Sequence, residues 1–480
     1  MTLQRQRASG NSRILRIMMC AFTAAFLVAA FVSPDRSEML GGLKRLVTQP
    51  SLWLKDAFMA DLGCVSGALL NTALVGLVCC ALTLLPEARI NGGTVMAYFL
   101  TVGCSFFGIN IVNMLPLMLG VAVFALIRRI PLGRVLNYFM FATALSPFIT
   151  ELLFRYPLAD VRAITPLGIG LALLIGVLTG CLLPVLCQAF MNINKGYNLH
   201  NAGPAAGFLC MVFFTVLYKV FFADAPGTKV IVGDEHRLFV NLFCVAACAL
   251  LTVGGLVLNG GLGDYLQLIR DSGHQVDFTS KYTIGANLMN MGVVGLGSLL
   301  YCNLIGASFN GTTMGMILCM MGGCCAGVTP LNVLPIVLGY VVMGLLNIAG
   351  ATDWAMSNAN LVIGLGFASG LAPIAGEYGI IAGGVAGIMH YSLISRMNYM
   401  HGGFDLYGCA LASGIVCLVL LPILEYFFKT KDQRASGKRR ARPSAKAAKR
   451  KPAAGTHKAT AGKPAAKKPS QAPQKRAKAS

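Results

Sequence analysis

The sequence predicts an all-α integral membrane protein of the inverted-repeat transporter or channel type. Two halves of about five transmembrane helices each are expected, with shorter re-entrant half-helices. Three observations predict it. Of 480 residues, 56% are hydrophobic and only 12% are charged, where a soluble domain carries about 25% charged residues. Apolar runs such as Ile14 to Val32, Leu171 to Phe190 and Leu238 to Leu258 are long enough to cross about 30 Å of hydrocarbon as helices, and the period-2 alternation of a membrane barrel is absent. Finally, the chain repeats itself.

The repeat is clearest from Asn91 to Gly120. Asn91-Gly92-x-Thr94, Gly103, Gly108 and Asn113-x-Leu115-Pro116-x-x-Leu119-Gly120 return 219 residues later as Asn310-Gly311-x-Thr313, Gly322, Gly327 and Asn332-x-Leu334-Pro335-x-x-Leu338-Gly339. At this offset 17 of the 53 positions from Ala68 to Gly120 are identical, where chance gives roughly 4 to 5. Both copies interrupt apolar helix with Gly, Asn, Thr and Pro. Duplicated broken hydrophobic segments point to a transport site near the bilayer midplane. The repeat continues with Leu145-Ser-Pro147-Phe-Ile-Thr-Glu151 against Leu371-Ala-Pro373-Ile-Ala-Gly-Glu377, and Gly196-Tyr197-Asn198-Leu199 against Gly403-Phe404-Asp405-Leu406. The offset falls from 226 to 207 between these matches, which places an extra stretch, about Leu152 to Gly170, in the first half alone.

In order, the chain reads as a basic N-terminus (1–13), a first membrane repeat (14–222), a polar linker (223–237), a second repeat (238–428) and a tail (429–480). Ile14 to Val32 has the look of a signal sequence, but its length and its counterpart near Leu238 make it the first helix of a repeat. Met39 to Asp61, with Trp53 and lysines among leucines, suits an interfacial amphipathic segment. The loop Arg128-Arg129-Ile-Pro-Leu-Gly-Arg134 is strongly basic, whereas its counterpart, Asn347 to Asp353, has no Lys or Arg. Equivalent loops therefore prefer opposite sides of the membrane, which requires an odd number of crossings per half. The termini are expected in the cytoplasm of a plasma-membrane protein.

Glu151 and Glu377 each follow a Pro by four residues in apolar surroundings. A carboxyl at membrane depth is a functional hypothesis by default, while one at a helix end in the headgroup region is merely solvated. Their recurrence suggests facing roles near a two-fold axis. Asn91, Thr94, Asn113, Asn310, Thr313 and Asn332 either cap the broken helices or line a polar path together with freed carbonyls. Asn198 and Asp405 complete the set of expected substrate-binding or pore residues. His200, His390 and His401 lie close by in sequence and read first as interfacial residues.

The net charge of +21 is concentrated in the tail, where 18 Lys/Arg meet one acid, Asp432; the body carries only +4. The tail has no apolar face and is expected to be disordered and drawn to anionic lipid headgroups, with no specific nucleic acid as partner. The sixteen cysteines sit within apolar segments without the spacing of a metal site, and no nucleophile elbow or phosphate loop is present. Neither catalysis, metal nor cofactor is expected.

Ser308-Phe-Asn310-Gly-Thr-Thr-Met-Gly315 resembles the aromatic-Asn-Gly-x-x-x-Gly signature of urea transporters, and Leu145-Ser-Pro147-Phe148 is similar to the Leu-Pro-Phe stretch that follows it in that family. The first copy, Arg89-Ile-Asn91-Gly-Gly, lacks the aromatic residue. As a whole the chain resembles a bacterial family of multi-spanning membrane proteins known only as a domain of unknown function. The urea-transporter resemblance implies a central pore between inverted halves, in a homo-oligomer. The expected function is facilitated passage of a small polar, uncharged solute such as urea or a short amide. The alternatives are a proton- or sodium-coupled carrier and a membrane-embedded enzyme acting through Glu377, Asp405 and the histidines.

Overall fold

The computed structural model describes residues 2–49, 55–157, 163–221, 223 and 232–436. Trp53 of the interfacial segment expected at Met39 to Asp61, residues 158–162 of the extra stretch, most of the linker expected at 223–237, and the tail from residue 437 lie outside the described residues. Among those described, every element is helical.

The first half contains α1 (Thr2–Val32), α2 (Met39–Thr48), α3 (Val65–Leu82), α4 (Gly92–Cys104), α5 (Leu115–Arg128), α6 (Leu136–Phe141), α7 (Ser146–Phe154), α8 (Pro166–Asn194) and α9 (Ala202–Phe214), which continues through a π-helical stretch, Thr215–Val220. The second half contains α10 (Arg237–Asn259), α11 (Gly263–Leu268), α12 (Phe278–Lys281), α13 (Ile284–Leu304), α14 (Gly311–Gly323), α15 (Pro330–Ile348), α16 (Ala359–Ala368), α17 (Ala372–Tyr378), α18 (Ile380–His401) and α19 (Gly408–Phe427), followed by the short α20 (Lys431–Ala435). Ten helical stretches are long and apolar enough to cross a membrane, five in each half. Their outer faces stay bare: Ile348 is 77% exposed, Leu304 77% and Val257 74%. Side chains of that kind on an otherwise well-buried helix belong against lipid.

α1 is built into the fold. Its Thr23 hydroxyl lies 2.8 Å from the Tyr98 hydroxyl, and Phe22 meets Phe99 edge to face. The extra stretch of the first half separates α7 from α8, whereas Gly379 alone joins α17 to α18.

Two crossings organise the centre. α4 and α14 run antiparallel in contact. A Cβ on Gly103 would meet the Gly315 carbonyl oxygen at 2.8 Å, and one on Gly322 would meet Phe99 and Met96. These are one contact seen twice, since Gly322 and Gly315 lie 219 residues after Gly103 and Met96. Likewise α9 and α19 cross within their first two turns: Gly203 abuts Ala410, Gly207 abuts Leu411 and Gly414 abuts Pro204. Glycine is needed at these crossings because Gly103, Gly203 and Gly315 meet backbone, and Gly207 and Gly414 make room for the Leu411 and Pro204 side chains.

The ends of the helices sort onto two sides. At one, here the terminal end, Asn11 and Ser12, where the apolar stretch of α1 begins, bond to Thr279 O and Ile90 O. α3 also ends there, where Arg16 reaches Thr83 O. At the far end, α1 finishes beside Asp35 and Ser66, and α10 begins where Arg237 bonds to Ala307 O after α13. α1 and α10, counterparts in the repeat, thus run in opposite directions.

Candidate functional site

The broken segments satisfy their own backbone. Asn91 and Thr94 form a reciprocal cap on α4, with Asn91 Oδ1 accepting from Thr94 N at 2.9 Å. Asn310 Oδ1 accepts from Thr312 N and Thr313 N at the start of α14, and the Thr313 hydroxyl bonds to Ser308 O. Asn113 Nδ2 donates to Gly108 O (2.8 Å) and Asn332 Nδ2 to Gly327 O (2.9 Å). Asn71 and Asn290 complete the arrangement. Each donates to two carbonyls of the break, Ser105 and Ile109 in one half, Cys324 and Val328 in the other. Capping and carbonyl satisfaction therefore account for Asn113, Asn310, Thr313 and Asn332, none of which lines the cavity described below. The signal that would have found Asn71 and Asn290 was their shared offset of 219.

Each half also caps the other. Asp56 Oδ1 accepts from Gly311 N (3.0 Å) at the start of α14, and Asp277 Oδ1 from Gly92 N (3.1 Å) at the start of α4. A carboxylate at a helix N-terminus meets the positive end of the dipole. Burial pushes the Asp56 carboxyl up to about 6, although the N–H groups of Phe58 and Gly311 oppose that shift. The sequence reading missed both acids, which stand in segments outside the repeat's strongest match.

Glu151 and Glu377 do not face one another. Glu151, 1% exposed, is bound by Arg155 at 2.6 Å and lies near Tyr218 at the end of α9. Glu377 Oε2 accepts from Lys431 N and its carbonyl from Arg434, in the packing of α20 at the terminal end. They lie near opposite ends of α9, which with its π-helical extension spans roughly 28 Å at 1.5 Å per residue. The facing arrangement expected for them is thus replaced by two separate structural contacts. Removing Arg155 strands a buried carboxylate, so Arg155→Ala is expected to cost about 3–5 kcal/mol. Comparing chemical denaturation of R155A with that of wild type in detergent checks this; equal midpoints would refute it.

What does converge is the pair of loops before α9 and α19. Residues 195–201 and 402–407 both turn into the interior and end at the α9–α19 crossing. The pairing is reciprocal: Leu199 N donates to Gly370 O in the 3-10 turn between α16 and α17, and Leu406 N to Ala144 O in the turn between α6 and α7. Asn198 Oδ1 accepts from His200 N and Asp405 Oδ1 from Tyr407 N, each at 3.0 Å. Asn198, His200, His401 and Asp405 are all buried. Asn198 Nδ2, Asp405 Oδ2 and both ring nitrogens of His200 and His401 have no hydrogen-bond partner among the described residues. The histidines are therefore interior, not interfacial; His390 is buried too, but satisfied by Tyr340 and the Cys409 carbonyl. Unpaired polar atoms in a core are costly and call for an explanation. His200 meets Phe367, which meets Tyr407, with ring centroids 5.6 Å apart in both cases, linking the two loops.

A cavity of about 830 Å³ leads to this region. Its rim holds Arg89, Arg134 and Gln275 at the terminal end, and its deeper wall includes Asn91, Asn198 and Leu199. Arg134 is held by Glu87 at 2.7 Å. No group of three or more His, Cys, Asp or Glu side chains among the described residues is placed to hold a metal ion.

No curated protein and no solved structure matches the chain. One family model does, over residues 35–219 and 259–426, described as a protein of unknown function (DUF1576). The first matched segment begins just after α1 and the second at the last residue of α10. With ten membrane-length helices among the described residues and this match over most of its length, the chain is a multi-pass membrane protein and belongs to the DUF1576 family.

Proposed function

We propose that the protein is a transporter for a small polar solute, built from two inverted repeats whose centre holds the cargo. The observation that carries this reading is the cavity reaching from the terminal end to Asn198, beside a cluster of buried polar atoms without partners. A solute with amide or hydroxyl groups would supply the missing hydrogen bonds, as replacement for its water shell. α9 and α19 aim their N-terminal dipoles at the same place, a feature of broken-helix transport sites. The antiparallel α4–α14 and α9–α19 crossings, and the reciprocal caps by Asp56 and Asp277, support the inverted arrangement. An uncharged cargo of the urea or amide type agrees with a body that carries little net charge and with the urea-transporter-like motif at Ser308 to Gly315.

Arg128, Arg129 and Arg134 lie in a short loop at the terminal end, and the positive-inside bias supports a cytoplasmic location for that end. Asp405 favours a second reading, a proton- or sodium-coupled carrier, because a buried carboxyl with a free oxygen is a natural ion site. Uptake driven by a pH gradient would select it over passive transport.

The test is solute-induced swelling of liposomes containing the full chain, followed by light scattering with urea and acetamide. Asn198→Ala is expected to lower the rate about tenfold, the loss of roughly 1.4 kcal/mol. No swelling above empty liposomes with any small amide would sink the proposal.

A further inference from the structure

The cavity opens at the terminal end, and the residues around it have counterparts at the other. Gly93, Leu199 and Asp277 are partly exposed around the cavity. Their counterparts Thr312, Leu406 and Asp56 are 2%, 2% and 1% exposed. The closure has an identifiable latch. At the far end the Leu406 side chain seats on Gly108, so close that a Cβ there would lie 2.5 Å from Leu406 Cδ2. At the terminal end the counterpart pair is Leu199 and Gly327. Leu199 instead borders the cavity, and the nearest atoms to Gly327 are those of Gly273.

We infer that the central site has a second entrance at the far end, which opens when the present one shuts, for the same small polar solute. This rests on the transport reading above. Two copies of one fold, placed upside down to each other, can exchange conformations: whatever packing shuts the far end is available, residue for residue, to shut the terminal end. In the exchanged state Leu199 seats on Gly327, while Leu406 leaves Gly108 and borders an opening that Thr312 and Asp56 flank. The central loops are reached from either end in turn and never from both. Leu406 then meets solvent from the far side, as Leu199 does now from the terminal side.

The experiment labels single substitutions in the full chain, reconstituted in liposomes, with a membrane-impermeant methanethiosulfonate applied to one face at a time. Wild type, with most of its cysteines buried, sets the background. Leu199→Cys is expected to react from the terminal face, and Leu406→Cys from the opposite face at least tenfold above background. Should L406C fail to fold, Thr312→Cys takes its place, with the same expectation. If the far-end position reacts from neither face, or only from the face that labels L199C, the second entrance is overturned. If L199C itself is unreactive, the cavity is not open to solvent and the transport reading fails first, so the two failures are told apart.

Discussion

Gly315→Ala is expected to destabilise the protein by about 3 kcal/mol, and bulkier residues there to abolish folding. A methyl at this position would stand 2.4 Å from the Gly103 carbonyl oxygen and 2.7 Å from Phe107. The first of these is backbone of the opposing helix, which cannot move aside without separating α4 from α14. Overpacking a close contact costs about 1–3 kcal/mol, at times more, and here it falls at the centre of the molecule. Gly297→Ala is the control. That glycine lies in α13 with nothing within 4 Å of an added Cβ, and helix propensity favours alanine over glycine by about 1 kcal/mol. Thermal melting in detergent should place G315A well below wild type and G297A at or slightly above it. Equal melting of G315A and wild type would mean that α4 and α14 are not in backbone contact.

Asp405 separates structure from function in the same way. Its Oδ1 holds the Tyr407 N–H at the start of α19, while its Oδ2 is free. Asp405→Ala removes both, and the stranded N–H costs about 1–3 kcal/mol. Asp405→Asn keeps the turn and gives the loop the chemistry of its counterpart, which carries Asn198. D405N is therefore expected to melt like wild type but to lose solute flux about tenfold or more, whereas D405A loses both. Wild-type flux in D405N would show that the free carboxylate oxygen takes no part in transport.

The contrast between Asp405 and Glu151 explains which candidates were legible in the sequence. Both are acids in apolar segments at repeated positions. Glu151 has Arg155 one helical turn away, a spacing at which side chains on a helix meet. Nothing in the sequence showed that Glu377 would be met by Lys431 and Arg434, more than fifty residues on. Nor did it show that Asp405 would find no cation. Asp56 and Asp277 stayed hidden because each caps a helix of the opposite half, 255 and 185 residues away.

Composition, run length and the recurring Gly/Asn/Pro pattern by themselves determined that this chain is helical, spans a membrane and is built of two similar halves. Those properties follow from local hydrophobicity and from what a backbone needs where a helix breaks. The tertiary structure alone decided which polar side chains are used up in capping and which remain free in the interior, because that depends on partners brought together from distant parts of the chain. It also decided that the two interior loops meet where α9 crosses α19, since Gly203 packs against the Ala410 backbone and Gly207 and Gly414 leave room for the Leu411 and Pro204 side chains.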